Sequence, residues 1–215
     1  MTGATSSGMS TPYPVHYSVE PPPKFSRLQL LGRLFAFCAL GMLGLSFGAL
    51  FAFLYLALPA YAASRISSRA ADPGGYVTED GPRVVKLLRW FAALSAWTGL
   101  VAEHLPSRAP EETISLDVSG PGNQSASSAV FRVFSGLPSA IVLGVLCWFG
   151  VLVWMWAALT ILLGERVGPH AFRYLVGLQR WSIRLLAYQA SLVDEYPPFS
   201  FSDTTLTLPT ARVTA

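Results

Sequence analysis

The distribution of apolar and polar residues divides the chain into two long uncharged runs with polar segments between them. Residues 34–63 form a run of 30 residues without a charged side chain, and residues 133–164 form a second run of 32. Apolar runs of about 18 or more residues are typical of transmembrane helices. The pattern therefore predicts a mainly α-helical membrane protein with two long hydrophobic transmembrane segments, at about 34–62 and about 139–163.

A short stretch with an apolar residue at every second position precedes each run. The stretches are residues 15–19 (VHYSV) and residues 114–118 (ISLDV). Strict alternation is typical of a half-buried β-strand, because successive side chains of a strand point to opposite faces. We therefore expect two short strands, and residues 206–208 (LTL) are a candidate third strand that would complete a small sheet.

The same features recur in the same order, which indicates an internal duplication. The two strands, and the arginines Arg33 and Arg132 that open the runs, match at an offset of 99 residues. Beyond the runs the offset is 91 residues, and the matched pairs are Arg89 with Arg180, Trp90 with Trp181, Trp97 with Tyr188, Glu103 with Asp194 and Pro106 with Pro197. The repeated unit is thus a strand, an apolar run and a tryptophan-bearing helix.

This unit predicts the organisation of the whole chain. The expected segments are a disordered, Ser/Thr/Gly-rich start at 1–12, a first repeat at 13–106 with its tryptophan helix at about 84–102, a linker at 107–112, a second repeat at 113–201 with its Trp/Arg helix at about 171–193, and a tail at 202–215.

The second repeat carries residues that resemble a known family. They are Arg180-Trp181-Ser182, Arg184, Ala187-Tyr188, Asp194 and Tyr196-Pro197-Pro198-Phe199. In this pattern residues 132–201 resemble the bacterial membrane proteins of domain of unknown function 4389 (DUF4389), and residues 13–106 resemble them weakly, through the same skeleton. The family usually has a proline–histidine pair early in the apolar run, where this chain has Pro138-Ser139. The resemblance implies an integral protein of the bacterial inner (plasma) membrane and implies no known reaction.

The tryptophan helix of the second repeat has a stripe of basic residues. At about 100° per residue, Arg173, Arg180 and Arg184 fall within a narrow sector, while apolar residues cover most of the remaining circumference. This pattern predicts an amphipathic helix lying in the membrane interface, with its arginines facing anionic lipid headgroups. The interface candidates in the two repeats are Arg89, Trp90, Arg173, Arg180, Trp181, Arg184 and Tyr188.

The alternative for this segment is a crossing helix whose arginines turn into a helix bundle. Arg184 would then lie near the bilayer midplane, at a cost of about 2.5–3.5 kcal/mol unless it is paired. Neither apolar run contains an acidic residue that would pair with it. The interfacial position is therefore favoured.

The apolar runs are longer than one perpendicular crossing requires, because a helix of about 30 residues rises about 45 Å against a hydrocarbon core of about 30 Å. One crossing per run is the simplest arrangement, and it places eight Lys and Arg residues on one side of the membrane and seven on the other. That balance gives no positive-inside signal. If both runs instead turn back, all fifteen basic residues and both strands lie on one side. We expect the multi-pass arrangement with two crossings, with the turn-back arrangement as the alternative.

Composition and site chemistry mainly exclude classes of function. The chain is 52% hydrophobic and 13% charged, and the charged fraction is about half that of soluble domains. A net charge of only +3 argues against nucleic-acid binding, and Cys38 and Cys147 lie inside the apolar runs. His16, His104 and His170 have no partners at zinc-ligand spacing. No catalytic residue, metal site or cofactor is therefore expected.

A helix-packing motif lies in the first run. Gly44 and Gly48 form a GxxxG pair, whose spacing lets helix backbones approach closely within one chain or in a homo-oligomer. Neither run contains an acid or a histidine that would mark an ion path. The expected function is a non-enzymatic membrane scaffold or partner-binding subunit, and the alternative is an accessory subunit of a lipid or small-solute transport system. The expected partners are anionic membrane lipids and a protein, and not nucleic acid.

Overall fold

The computed structural model describes residues 13–42, 46–69, 72, 75–105, 111, 113–120 and 125–201. Within them the chain is mainly helical, as predicted. The elements are β1 (Val15–Ser18), α1 (Arg27–Met42), α2 (Phe47–Ser68), a π-helical turn (Tyr76–Asp80), α3 (Gly81–Thr98), β2 (Ser115–Val118), α4 (Ala126–Ser135), α5 (Leu137–Gly164) and α6 (Pro169–Gln189). The start at 1–12, most of the linker 107–112, the tail at 202–215 with its candidate strand, and Gly44 lie outside the described residues.

The first apolar run contains two helices. α1 ends at Met42 and α2 begins at Phe47, where the Ser46 hydroxyl accepts a hydrogen bond from the Ala49 amide at 3.0 Å. A serine at this position satisfies one of the unpaired amides of the first helical turn. The single segment predicted at about 34–62 is thus divided, and its second helix extends to Ser68.

The second apolar run is nearly continuous. α4 begins after a similar serine cap, Ser125, and α5 follows it through Gly136, whose φ of −77° and ψ of −15° are helical. With Gly136 between them, α4 and α5 cover 39 residues. Two segments, Phe47–Ser68 and Ala126–Gly164, are long and apolar enough to cross a membrane.

The start of α1 packs at the end of α5, so the two helices are antiparallel. Lys24, shortly before α1, and Arg27, its first residue, form ion pairs with Glu165 at 2.6 and 3.4 Å. Further along, the rings of Phe37 and Trp154 meet edge to face with their centroids 5.7 Å apart. The first helix of the first half is therefore held on the long apolar helix of the second half.

The reciprocal contact joins α4 to α2. The Tyr55 hydroxyl in α2 donates to the Val133 carbonyl in α4 at 2.7 Å. Ala62 and Ile66, further along α2, pack with Ala129, nearer the start of α4. These two helices are also antiparallel, and the first helix of each half thus packs on the long apolar helix of the other half.

β1 and β2 form an antiparallel two-stranded sheet, and both strands were predicted from the alternation of apolar residues. Tyr17 lies opposite Leu116, and Val15 lies opposite Val118. The fully buried Tyr17 hydroxyl donates to Gln179 Oε1 in α6 at 2.7 Å. The sheet therefore lies on α6.

Pairing of the strands bears directly on the predicted topology. One crossing per run would place residues 15–18 on one side of a bilayer and residues 115–118 on the other. Strands that share a ladder of hydrogen bonds cannot lie on opposite sides of a bilayer. The expectation of one crossing per run is therefore incompatible with this sheet, whereas the turn-back alternative brings both strands to one side.

α6 is an internal helix. Nearly every residue from Leu175 to Gln189 is buried, and Ile183, Leu185 and Leu186 are completely inaccessible. The interfacial position predicted for the segment 171–193 is wrong for this stretch, because one side of the helix packs along α5 and the arginine side packs on β1. Helical periodicity groups the three arginines on one side of the helix but does not show which surface that side meets.

Candidate functional site

A buried arginine, Arg33 in α1, joins the apolar helices to the end of α3. Its side chain is 1% exposed, and Nη2 donates to the carbonyls of Ala102 and Glu103 at 2.9 and 2.6 Å. The guanidinium lies over the Trp97 ring, 5.1 Å from its centroid, and 3.7 Å from Glu103 Oε2. Burial is tolerated because carbonyls, a ring and a carboxylate surround the charge.

Arg132 in α4 makes the corresponding set of contacts at the end of α6. Nη1 donates to the carbonyls of Tyr188, at 3.0 Å, and Val193, and Nη2 donates to Asp194 Oδ1 at 2.6 Å. The guanidinium lies 4.6 Å from the centroid of the Tyr188 ring. Three partners of Arg132 thus have counterparts at Arg33, 91 residues earlier: the aromatic ring, the Val193 carbonyl and the carboxylate correspond to Trp97, Ala102 and Glu103. The second carbonyl differs, because Arg132 donates to that of Tyr188 and Arg33 to that of Glu103.

The turns after α3 and α6 have the same geometry. Leu100 and Ser191, again 91 residues apart, have left-handed φ values of 59° and 55°. The Val101 amide donates to the Ala96 carbonyl at 3.0 Å, and the Leu192 amide donates to the Ala187 carbonyl at 3.1 Å. These turns hold the carbonyls of the following residues toward the two arginines.

The tryptophan-bearing helices each hold the strand of the other half. Arg89 in α3 donates from Nε to the Leu116 carbonyl of β2 at 3.3 Å. Arg180 in α6 donates from Nε to the Tyr17 carbonyl of β1 at 3.1 Å. These two matched arginines therefore hold the pair of opposing residues at the centre of the sheet.

The remaining interface candidates are placed differently from one another. Arg184 is 2% exposed, with Nε donating to the Val15 carbonyl at 3.4 Å and its guanidinium over the Tyr13 ring. Trp181 is 3% exposed and Tyr188 is buried, whereas Trp90 is half-buried. Arg173 is exposed, next to His170 Nδ1. Of the predicted stripe, only Arg173 keeps the outward orientation expected of a lipid-facing cation.

A cavity of about 700 Å³ lies between α1, α2, α3, α5 and α6. Aromatic and aliphatic side chains supply most of its walls, and Cys38 and Cys147 line it together with the packing candidate Gly48. Gly144 lies beside Cys147, and no atom would meet a side chain added there within 4 Å. The described half of the predicted GxxxG pair therefore borders a cavity.

A large apolar surface is exposed on α1, α2, α4 and α5. It includes Phe35 at 78%, Phe131 at 66% and Trp148 at 81% exposure, and on α5 it continues from Leu137 to Leu163. Among the described residues, all the large exposed apolar side chains lie on these four helices except Leu87, Leu105, Tyr196 and Phe199. A contiguous surface of this kind is unusual on a soluble monomer and marks contact with lipid or with another protein.

One buried acid was missed in the sequence. Asp80 is completely buried beside Arg65 and Arg69, with Arg65 Nη2 at 3.0 Å and Arg69 Nη1 at 2.9 Å. The hydrogen bonds from Arg65 hold the pKa of the Asp80 carboxyl below its usual value, and the charge of Arg69 adds to the effect. Residues 64–83 are rich in Ser, Arg, Gly and Asp, a composition typical of a loop, which gives no sign of this packing.

In the described part of the chain, no group of three His, Cys, Asp or Glu side chains is placed to hold a metal ion. No curated protein and no solved structure matches the chain. Residues 126–200, which contain α4, α5, α6 and the Arg132 contacts, match the family described as Domain of unknown function (DUF4389), and this match confirms the resemblance predicted for the second half.

Proposed function

We propose that this chain is an internally duplicated scaffold protein of the bacterial plasma membrane, without enzymatic activity, that enters the bilayer from one side. The observation that carries the proposal is the exposed apolar surface on α1, α2, α4 and α5. Helix α5 contains no charged residue. Arg33 in α1 and Arg132 in α4 are buried among the contacts described above and so do not interrupt the exposed surface. Lipid is the partner that an uncharged surface of this extent requires.

The duplication is supported by the matched contacts of Arg33 and Arg132 and by the matched turns at Leu100 and Ser191. Tyr17 and Leu116, at equivalent places in the two halves, oppose each other in the sheet. An antiparallel pair centred on equivalent residues has a two-fold axis normal to the sheet. Such an axis relates two halves that present their apolar helices to the same side.

The lengths of helices α4 and α5 also support entry from one side. The 39 residues of α4 and α5 have a contour length of about 58 Å, against a hydrocarbon core of about 30 Å. The sheet is joined to α4 by a short segment after Val118 and contacts the middle of α6, at Gln179. If the apolar helices crossed the bilayer upright, the sheet and Arg180 would lie near mid-depth, where charges are costly. Helices lying along one leaflet keep them in water.

Labelling of single cysteines tests this arrangement, in full-length protein that lacks Cys38 and Cys147. Ser18, Ser67 and Ser127 are exposed in β1, at the end of α2 and in α4. With an impermeant thiol reagent on intact and opened cells, all three cysteines should behave alike, and a cysteine at the lipid-facing Val145 should stay unlabelled. If positions 67 and 127 label from the side opposite to position 18, entry from one side is wrong.

A second candidate function is an accessory subunit of a lipid transport system. The cavity of about 700 Å³ favours it, because the space is apolar and borders the exposed apolar surface. Mass spectrometry of the protein purified in mild detergent separates the two candidates. A stoichiometric protein partner is the result expected of a scaffold, and a retained lipid without a protein partner is the result expected of lipid handling.

A further inference from the structure

No side chain in the lining of the cavity between α1, α2, α3, α5 and α6 carries a charge. Its polar side chains already have partners in the protein. The Gln179 amide accepts from Tyr17 and donates to the Ser95 carbonyl, and the hydroxyls of Ser95, Thr98 and Ser182 donate to backbone carbonyls. A charged group entering the cavity would lose its hydration without meeting a side chain of opposite charge. The lining therefore selects a hydrocarbon.

The size of the cavity suits a flexible chain. The lining on α5 extends from Ala140 to Trp154, a distance of about 21 Å along the helix. An acyl chain that spans one leaflet covers about half of the roughly 30 Å hydrocarbon core, or about 15 Å, so the lining is long enough to hold one such chain. The volume of about 700 Å³ lies within the range of about 300–1,000 Å³ that is usual for ligand sites. Protein interiors leave few voids of this size unfilled.

The opening of the cavity is continuous with the exposed apolar surface. Leu34, Cys38, Gly144, Cys147 and Val151 belong to the lining and are themselves exposed. Adjacent residues of α5 form part of the surface proposed to contact lipid. A chain of a neighbouring lipid can enter there without passing through water.

We propose that this cavity binds one acyl chain of a membrane phospholipid. The assignment rests on the proposed membrane position, because the opening must face lipid. The lining offers no cation, so the charged end of the bound lipid must stay at the opening. A phospholipid keeps its charged headgroup outside while one chain enters, so it is the source that agrees with the lining.

The test uses full-length protein in phosphatidylglycerol vesicles in which the probe is a phosphatidylglycerol with a diazirine in one acyl chain. Trypsin releases the peptide 174–180, which contains the lining residues Leu175, Leu178 and Gln179. All three are buried, so bulk lipid does not reach them. After illumination, fragmentation of the peptide separates labelling at these three residues from labelling at the half-buried Tyr174. Labelling at Leu175, Leu178 or Gln179 reports a chain inside the cavity, and labelling around Trp148 reports contact with bulk lipid.

Gly144→Phe is the blocking variant, because a side chain at Gly144 enters open space next to the cavity. Val145→Phe is its control, since it adds a phenyl group at the next residue, which is exposed and outside the lining. We expect G144F to lose labelling of the peptide 174–180 and to keep it around Trp148, and V145F to keep both. Equal labelling of 174–180 in both variants, or none in the wild-type protein, overturns the proposal.

A second variant, a flotation assay and a fatty-acid probe complete the test. If G144F does not fold, Cys38→Phe narrows the cavity from α1 and carries the same expectation. Flotation with the vesicles is measured for every variant. Wild-type protein that floats without labelling of 174–180 disproves the acyl-chain site and leaves the membrane position intact, whereas protein that does not float disproves both. Stronger labelling by diazirine-palmitate than by the phospholipid overturns the choice of a phospholipid.

Discussion

Tyr17 lies directly opposite Leu116 in the antiparallel sheet, and the two residues are 99 positions apart, the offset that relates the strands of the two halves. Their carbonyls accept hydrogen bonds from Arg180 and Arg89 respectively. Two equivalent hydrogen bonds thus hold the centre of the sheet, and each arginine donates to the strand of the other half.

Replacing Arg132 by Gln should lower the stability of the protein. The change removes the arginine donor of the Val193 carbonyl and one of the donors of the Tyr188 carbonyl, which keeps the Ser191 amide. An unsatisfied buried polar group costs about 1–3 kcal/mol. Arg33→Gln should give a loss of similar size, because Arg33 is also buried and also donates to two backbone carbonyls. Thermal unfolding in detergent measures both losses. Arg166→Gln, at an exposed position, is the control, and a loss as large in R166Q as in R132Q would contradict the interpretation.

Replacing Tyr17 by Phe isolates one buried hydrogen bond. The variant keeps the ring and removes the hydroxyl that donates to Gln179 Oε1 at 2.7 Å, so we expect a loss of about 1–3 kcal/mol. Tyr174→Phe is the comparison, because it removes a hydroxyl that donates to α5. Tyr174 is only half-buried, so this variant should lose less stability than Tyr17→Phe. Chemical unfolding in detergent compares the two, and the reverse order would show that the Tyr17 contact is weak.

Stability should fall in acid through Asp80. The pKa of this carboxyl is lowered in the folded protein by the hydrogen bonds from Arg65, so the unfolded chain takes up the proton first as the pH falls. The stabilisation is complete well above the unfolded value of about 3.9 and is lost as the pH falls toward the lower folded value. Unfolding temperatures between neutral pH and the acid range measure this effect.

Asp80→Asn should lower stability at neutral pH and flatten the acid part of that profile. The exposed carboxylate of Asp117 provides the control variant D117N, which should follow the wild-type curve. An acid profile for D80N as steep as that of the wild-type protein would exclude Asp80 as the source.

Gly120 should not tolerate a side chain. A Cβ added there would lie 2.1 Å from the Leu192 carbonyl oxygen, a backbone atom that cannot move independently. Gly120→Ala should therefore destabilise the packing of the segment after β2 on the end of α6, by about 1–3 kcal/mol as for other overpacked sites. Gly164→Ala, where nothing lies within 4 Å, should be nearly neutral. Equal unfolding temperatures for the two variants would refute this.

The apolar runs, the two strands and the family resemblance of the second half could be predicted, because each depends on a local pattern of residues. The tertiary contacts that those segments make could not be predicted. The stripe formed by Arg173, Arg180 and Arg184 was assigned to lipid headgroups, yet for Arg180 and Arg184 the carbonyls of β1 are the partners. A strand more than 160 residues earlier leaves no trace in helical periodicity.

The division of the first run and the burial of Asp80 show the same limitation. Hydropathy is insensitive to the Ser46 cap that begins α2, since a serine inside an apolar run changes the average little. Asp80 is identified only by its distance to Arg65 and Arg69. In both cases the deciding contact involves polar atoms that a search for apolar periodicity does not weigh.

The exchange of arginine contacts between the halves has a consequence for biosynthesis. β1 is translated early, but the arginine that holds its Tyr17 carbonyl is residue 180. At about 5–20 residues per second, a ribosome needs roughly ten to thirty seconds to bridge that interval, and β2 is also absent for most of it. During this time the nascent first half has an unpaired strand and an apolar run already emerging. The sheet and its Arg180 contact can therefore form only after most of the second half has been synthesised.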